Sequence, residues 1–132
     1  MSTIFQKIID GEIPAYKVAE NDFFLAFLDV NPLAKGHTLV IPKKATDYIF
    51  DMADNELAAM HVFAKQVAIG IKSVVPCVKV GVAVIGLEVP HAHIHLVPMN
   101  KVADLNFAGP RISLSKDEYE AVASAISQAI TL

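Results

Sequence analysis

The sequence predicts an α+β domain: a mainly antiparallel five-stranded sheet with one long central helix, a short N-terminal helix and a C-terminal helix. Five short runs rich in apolar and β-branched residues, punctuated by turn residues, supply the strands. One apolar stripe at spacings of three and four, Leu57, Met60, Ala64, Val67, Ile71 and Val74, supplies the long helix. Strands joined by hairpin-length connections around that helix favour antiparallel neighbours. With 132 residues the chain reads as one domain, residues 1–132. A hydrophobic share of 54% against 19% charged excludes a disordered chain, because ample apolar surface is available to offset conformational entropy.

Residues 3–9 place Phe5, Ile8 and Ile9 at helical spacing, and Gly11 and Pro14 end that helix. Residues 16–20, 23–28 and 37–41 read as strands. The run Phe23-Phe24-Leu25-Ala26-Phe27-Leu28 is apolar on both faces, as a buried strand should be, and Asn31-Pro32 turns the chain after it. The long helix starts at Asp54, its candidate cap, and stops at Pro76. Gly70 within it costs about 1 kcal/mol relative to alanine, which suggests close packing against the sheet. Lys79–Ile85 and His91–Pro98 complete the strands. Ser115-Lys116-Asp117-Glu118 is a capping box, and Tyr119, Val122, Ala123, Ile126 and Ile130 form the stripe of the last helix.

The 11 basic and 14 acidic side chains give a net charge of −3, and Lys43-Lys44 is the one adjacent basic pair, so DNA is not an expected partner. Cys77 is the lone cysteine, which excludes an internal disulfide and a multi-cysteine metal site and fits a reducing, cytoplasmic setting. The first residues do not read as a secretory signal. No membrane span is expected either, since Lys65, Lys72 and Lys79 interrupt the apolar stretch from Val62 to Leu87.

Three of the five histidines fall in H-A-H-I-H-L-V-P, at positions 91, 93 and 95. On a strand this spacing puts the three imidazoles on one face and Ala92, Ile94 and Leu96 on the other, which packs on the core. Three histidines on one face are costly to bury without purpose. Two chemistries remain open. A His-X-His pair can ligate a metal, with further ligands from His37, His61 or a carboxylate; His91 and His95, about 13 Å apart along a straight strand, cannot share one ion. Alternatively the central histidine attacks phosphorus while its neighbours orient it and hold the reacting group.

H-A-H-I-H-L-V resembles the motif of the histidine triad family, His-φ-His-φ-His-φ-φ with φ apolar, at every position. I-F-Q-K-I-I-D-G-E-I-P-A at 4–15, A-F-L-D-V-N-P at 26–32 and G-H-T-L-V-I-P-K-K at 36–44 are similar to the N-terminal blocks of its Hint-like branch, whereas residues 100–132 carry no matching motif. The resemblance implies the HIT-like fold, a homodimer joined through its sheets, and a site for a purine nucleotide or its conjugate. It also implies hydrolysis or transfer of nucleoside monophosphate groups from phosphoramidates or dinucleoside polyphosphates, through a covalent nucleotidyl-histidine and with no cofactor. Carried over by position, His93 is the nucleophile, His91 and His95 orient it and contact phosphate, and His37 supports the network. Asp29 accepts from the ribose hydroxyls, and Ile4, Phe5, Ile8, Phe27, Val30 and Leu39 line the base pocket. A non-catalytic nucleotide-binding module would share all these residues.

Plainer roles compete with these. Asp29 ahead of Asn31-Pro32 fits an Asx turn, and Phe5, Ile8 and Phe27 fit ordinary core. The chain departs from the family where Ala45 follows the lysines in place of a histidine, and where Leu87 replaces the polar residue four positions before the triad.

Overall fold

A computed structural model describes residues 3–132; Met1 and Ser2, which open the stretch read as carrying no secretory signal, lie outside it. Helix α1 covers Ile4–Ile9, capped by Thr3, whose hydroxyl accepts from the Gln6 amide. Strands β1 (Lys17–Glu20), β2 (Phe24–Leu28) and β3 (Thr38–Pro42) follow as an antiparallel meander. Helix α2 (Asp54–Val74) then carries the chain to the far edge of the sheet, where β4 (Lys79–Ala83) pairs with β5 (Ile94–Met99). Strand β5 inserts between β4 and β3, giving the order β1-β2-β3-β5-β4 with every pair antiparallel. Helix α3 (Lys116–Ala129) closes the chain, and the Ser115–Glu118 capping box forms as the sequence predicts.

Two apolar layers sandwich the sheet. On one face, Ala26, Leu28, Val40, Ile94 and Leu96 meet Met60, Ala64, Val67 and Ile71 of α2 and Tyr119, Val122 and Ile126 of α3. On the other, Leu25, Phe27, Leu39 and Ile41 meet Phe5 and Ile8 of α1. Strands β2 and β3 are buried throughout because both faces are covered. By length and hydropathy alone α2 could cross a membrane; here its apolar stripe is the floor of the larger core.

Three local expectations are corrected. The cap of α2 is Ala53, with no side-chain cap bond, and Asp54 is instead the first helical residue, where its charge complements the helix N-terminus. Gly70 does face a close neighbour, but that neighbour is the residue that ends α3: an added Cβ would lie 2.5 Å from Cγ1 of Ile130. The sheet is not what requires glycine there. Finally, the strand expected over His91–Pro98 begins only at Ile94, and the one expected over Lys79–Ile85 ends at Ala83. Pro42 ends β3 and Pro90 precedes the histidines, and neither has an N–H for a ladder. Residues 91–93 are held otherwise: the Ala92 amide donates to the Thr46 carbonyl at 2.7 Å, and the His91 amide to that of Val89 at 2.8 Å.

Candidate active site

The alternation of faces survives the loss of the strand. Ala92, Ile94 and Leu96 sit in the larger core, while His91, His93 and His95 turn to the layer under α1. That face is buried: His91 is 0%, His93 6% and His95 8% exposed. Phe5 from α1 meets the His93 ring edge-on at 5.0 Å, and Phe107 meets the His95 ring at 4.6 Å.

Burial makes the hydrogen-bond partners decisive, because each neutral imidazole has one donor and one acceptor nitrogen. The Leu33 amide donates to His37 Nδ1 at 3.0 Å, so the proton of His37 lies on Nε2. His37 Nε2 is 3.0 Å from His95 Nδ1, which must therefore accept, leaving the His95 proton on Nε2. His93 Nδ1 is 2.8 Å from the His91 carbonyl, an acceptor only, so Nδ1 donates and Nε2 of the neutral ring carries the lone pair. These tautomers are assigned from the network. Among the described residues neither His93 Nε2 nor His95 Nε2 has a partner, and no unpartnered buried side-chain nitrogen or oxygen occurs. Both atoms therefore remain accessible, one as acceptor and one as donor.

Burial also keeps the network neutral. It pushes His95 down to about 3, with smaller contributions from His93, His37 and Arg111. It pushes His37 down to about 4, against the opposing pull of the Asp29 carboxylate. His91 is lowered by burial too, partly offset by its bond to the Pro42 carbonyl. Moving a charged imidazolium out of water costs more than these neighbours return.

His93 and His95 open onto a cavity of about 460 Å³. Ile4, Phe5, Ile8, Phe27, Val30 and Leu39, all expected in a base pocket, line it with Asp29. Phe5, Ile8, Phe27 and Leu39 belong at the same time to the smaller core, so packing and pocket wall are one set of residues. Asp29 likewise does two things. Its Oδ1 accepts from the Asn31 amide at 2.8 Å, the expected Asx turn, while Oδ2 lies 3.5 Å from His37 Nε2. His37 and His91 do not line the cavity. The phosphate contact expected of His91 is unavailable, since Nε2 donates to the Pro42 carbonyl at 2.8 Å and Nδ1 faces the Thr3 hydroxyl at 3.3 Å. His61 is exposed on α2 with its Nδ1 on the Leu57 carbonyl, as a solvent-facing histidine should be.

For a metal, the atoms brought within 4.8 Å of one another belong to Asp29, His37 and His95, a different set from the His-X-His pair. An ion there would displace the proton that His37 Nε2 shares with His95 Nδ1.

Sequence patterns did not single out Phe107 and Arg111, which complete the cavity from the segment after β5. Both lie in N-F-A-G-P-R, a turn-rich stretch without periodicity, so no local signal pointed to them. Helix α3 reaches the site as well: the Tyr119 hydroxyl, its ring stacked on Tyr16 at 4.7 Å, donates to the Asp29 carbonyl at 3.0 Å.

A family model described as HIT domain matches residues 10–102. The chain belongs to the HIT family. It is 36% identical over 133 residues to the Schizosaccharomyces pombe protein named adenosine 5'-monophosphoramidase hnt1, covering 98% of this chain and 99% of that protein. Among solved structures, a Hit-like protein from Bartonella henselae, described as involved in cell-cycle regulation, superposes with a TM-score of 0.85 at 30% identity, covering 98% of this chain and 96% of that one. A zinc-bound histidine triad family protein from Mycobacterium smegmatis gives a TM-score of 0.81 at 28% identity, covering 97% and 95%. The HIT architecture, three helices on a five-stranded antiparallel sheet, is thus shared over nearly the whole chain.

Proposed function

We propose that this HIT protein is a nucleotide hydrolase or nucleotidyl transferase, acting on purine nucleoside phosphoramidates or dinucleoside polyphosphates through a nucleotidyl-His93 intermediate. The observation that carries the reading is the pairing of two accessible nitrogens on one cavity wall: an unprotonated Nε2 on His93 and a protonated Nε2 on His95. The first is a nucleophile already in its reactive tautomer. The second donates to a phosphate oxygen as charge builds there.

In the first step the His93 Nε2 lone pair forms a bond to phosphorus, and the bond to the leaving group breaks, its electron pair departing with the leaving atom. Water then attacks the same phosphorus, losing a proton to solvent from which the departed leaving group takes one up, and the P–Nε2 bond breaks with its electron pair returning to His93 as the nucleoside monophosphate leaves. His93 is regenerated, and its proton stays on Nδ1 throughout, hydrogen-bonded to the His91 carbonyl. The apolar wall of Phe5, Ile8, Phe27 and Leu39 suits a planar base, and Asp29 retains lone pairs for ribose hydroxyls beside its two intramolecular contacts. His37 and His91 act as positioning residues. The name of the S. pombe relative supports the phosphoramidate arm.

Assembly as a homodimer belongs to this reading. Strand β4 is an open edge with exposed Val82, and α2 exposes Val62 and Ile69.

The test is incubation with adenosine 5'-phosphoramidate and assay for AMP. Turnover is expected; thermal protection by AMP without turnover would leave a binding module only. The Asp29, His37 and His95 cluster and the zinc-bound relative support a second reading, a metal-dependent hydrolase. Stoichiometric metal in the purified protein together with loss of activity to a chelator would establish that one instead.

A further inference from the structure

We propose that Arg111 is the anion-recognition residue of this cavity, binding the phosphate of the bound nucleotide from the wall built by the segment between β5 and α3. The inference rests on the nucleotide reading above. The family match ends at residue 102, and Phe107 and Arg111 follow it in the segment between β5 and α3. Yet both line the cavity with His93 and His95.

Charge makes the case. Among the described residues, the carboxylates and guanidinium on the cavity wall are those of Asp29, Glu88 and Arg111, and His95 is held neutral. A phosphate-bearing ligand would meet two carboxylates, and Arg111 is the one lysine or arginine on the wall to offset them. A neutral His95 can orient a phosphate but cannot neutralise it.

Geometry supports the same role. Nη1 of Arg111 donates to the Asn31 carbonyl at 2.8 Å and Nη2 to the Phe107 carbonyl at 3.1 Å. The guanidinium lies 5.6 Å over the Phe107 ring, which in turn abuts His95. An arginine has five N–H donors, so a side chain held by two of them still offers three. Its orientation is fixed before ligand arrives, which reduces the entropy lost on binding. The Asn31 contact also places it next to the Asx turn that presents Asp29.

The experiment compares AMP with adenosine by calorimetry on wild type, Arg111→Gln and Arg111→Lys, each checked for wild-type thermal unfolding. A charge-assisted bond to phosphate predicts that Arg111→Gln weakens AMP about 10- to 100-fold and leaves adenosine unchanged. Arg111→Lys, which keeps the charge without the fork, should fall between. Raising salt should weaken AMP binding to wild type more than to Arg111→Gln. Unchanged AMP affinity in Arg111→Gln overturns the proposal, and so does an equal loss for AMP and adenosine, which would make Arg111 only a brace for its loop. Should Arg111→Gln not fold, the lysine variant decides: a loss for AMP alone supports the role, and a loss for both ligands refutes it. Wild type that binds neither ligand would instead refute the nucleotide reading itself.

Discussion

One backbone amide, that of Leu33, settles where protons sit two rings away. By donating to His37 Nδ1 it forces the His37 proton onto Nε2, and that proton in turn makes His95 Nδ1 an acceptor. The arrangement works only while the rings are neutral, and burial ensures this by holding His37 at about 4 and His95 at about 3. Stability should record it. In the unfolded chain these histidines take protons below about 6.5, whereas folded they do not until the pH is far lower. Between those limits the unfolded state binds more protons, so stability is complete above pH 6.5 and falls as the solution is acidified. Thermal unfolding should show a melting temperature that is flat from pH 8 to 7 and roughly 5–10 °C lower at pH 5. His37→Asn should flatten that slope. An identical slope in the variant would mean that the buried histidines do not set it. Leu87 offers a second prediction at this scale. It stands 90% exposed on the cavity rim, where it can neither donate nor carry a proton for the leaving group. Leu87→Gln should raise turnover of an amine-leaving phosphoramidate by at least about tenfold and leave an activated aryl ester unchanged, since leaving-group protonation contributes about 10²–10⁴-fold. No gain on the amine substrate would show that another group, such as Glu88, already supplies the proton.

The turn before β3, which delivers His37 to the site, is constrained in both backbone and packing. Gly36 has φ +92°, and an added Cβ would lie 2.9 Å from Val75 Cγ2. Alanine there meets both an unfavourable backbone region and a packed helix end. Gly36→Ala should therefore lower stability by about 1–3 kcal/mol in denaturant unfolding, and an unchanged midpoint would contradict this. This turn also shows what a sequence exposes. Gly36 and His37 stand in a recognisable block, and the stripes of α2 and α3 declare themselves because burial repeats with the helical period. The histidine segment was half legible. Side-chain alternation needs only an extended backbone, so the faces came out right, whereas the ladder depends on N–H groups that Pro42 and Pro90 lack. The cap of α2 was misassigned because an acidic residue fits the first turn as well as the cap. Arg111 and Tyr119 reach the site through tertiary contacts across 80 and 90 residues, and no local pattern encodes such contacts.

Taken as a whole, the molecule has one sheet with two coverings, and the proposed nucleotide site lies where the thinner covering, α1, gives way to the cavity. The opposite, larger core carries most of the packing, which leaves the site free to be built from buried polar groups. Strands β1 and β4 are the two edges of the sheet, and β4 is the one that exposes Val82. Light scattering at micromolar concentration should give twice the 14.3 kDa chain mass, and Val82→Lys should shift it toward one copy. A wild-type mass of 14.3 kDa would show that the edge is tolerated open. The central claim, that His93 carries the nucleotide, is tested most directly by trapping the intermediate. Wild type mixed with adenosine 5'-phosphoramidate, quenched within a turnover and analysed by mass spectrometry under conditions that preserve P–N bonds, should gain one adenylyl group on His93. His93→Ala should be folded, unlabelled and at least about a thousandfold slower. A wild-type enzyme that turns over without the adduct, or a His93→Ala variant within about tenfold of wild-type rate, would contradict it.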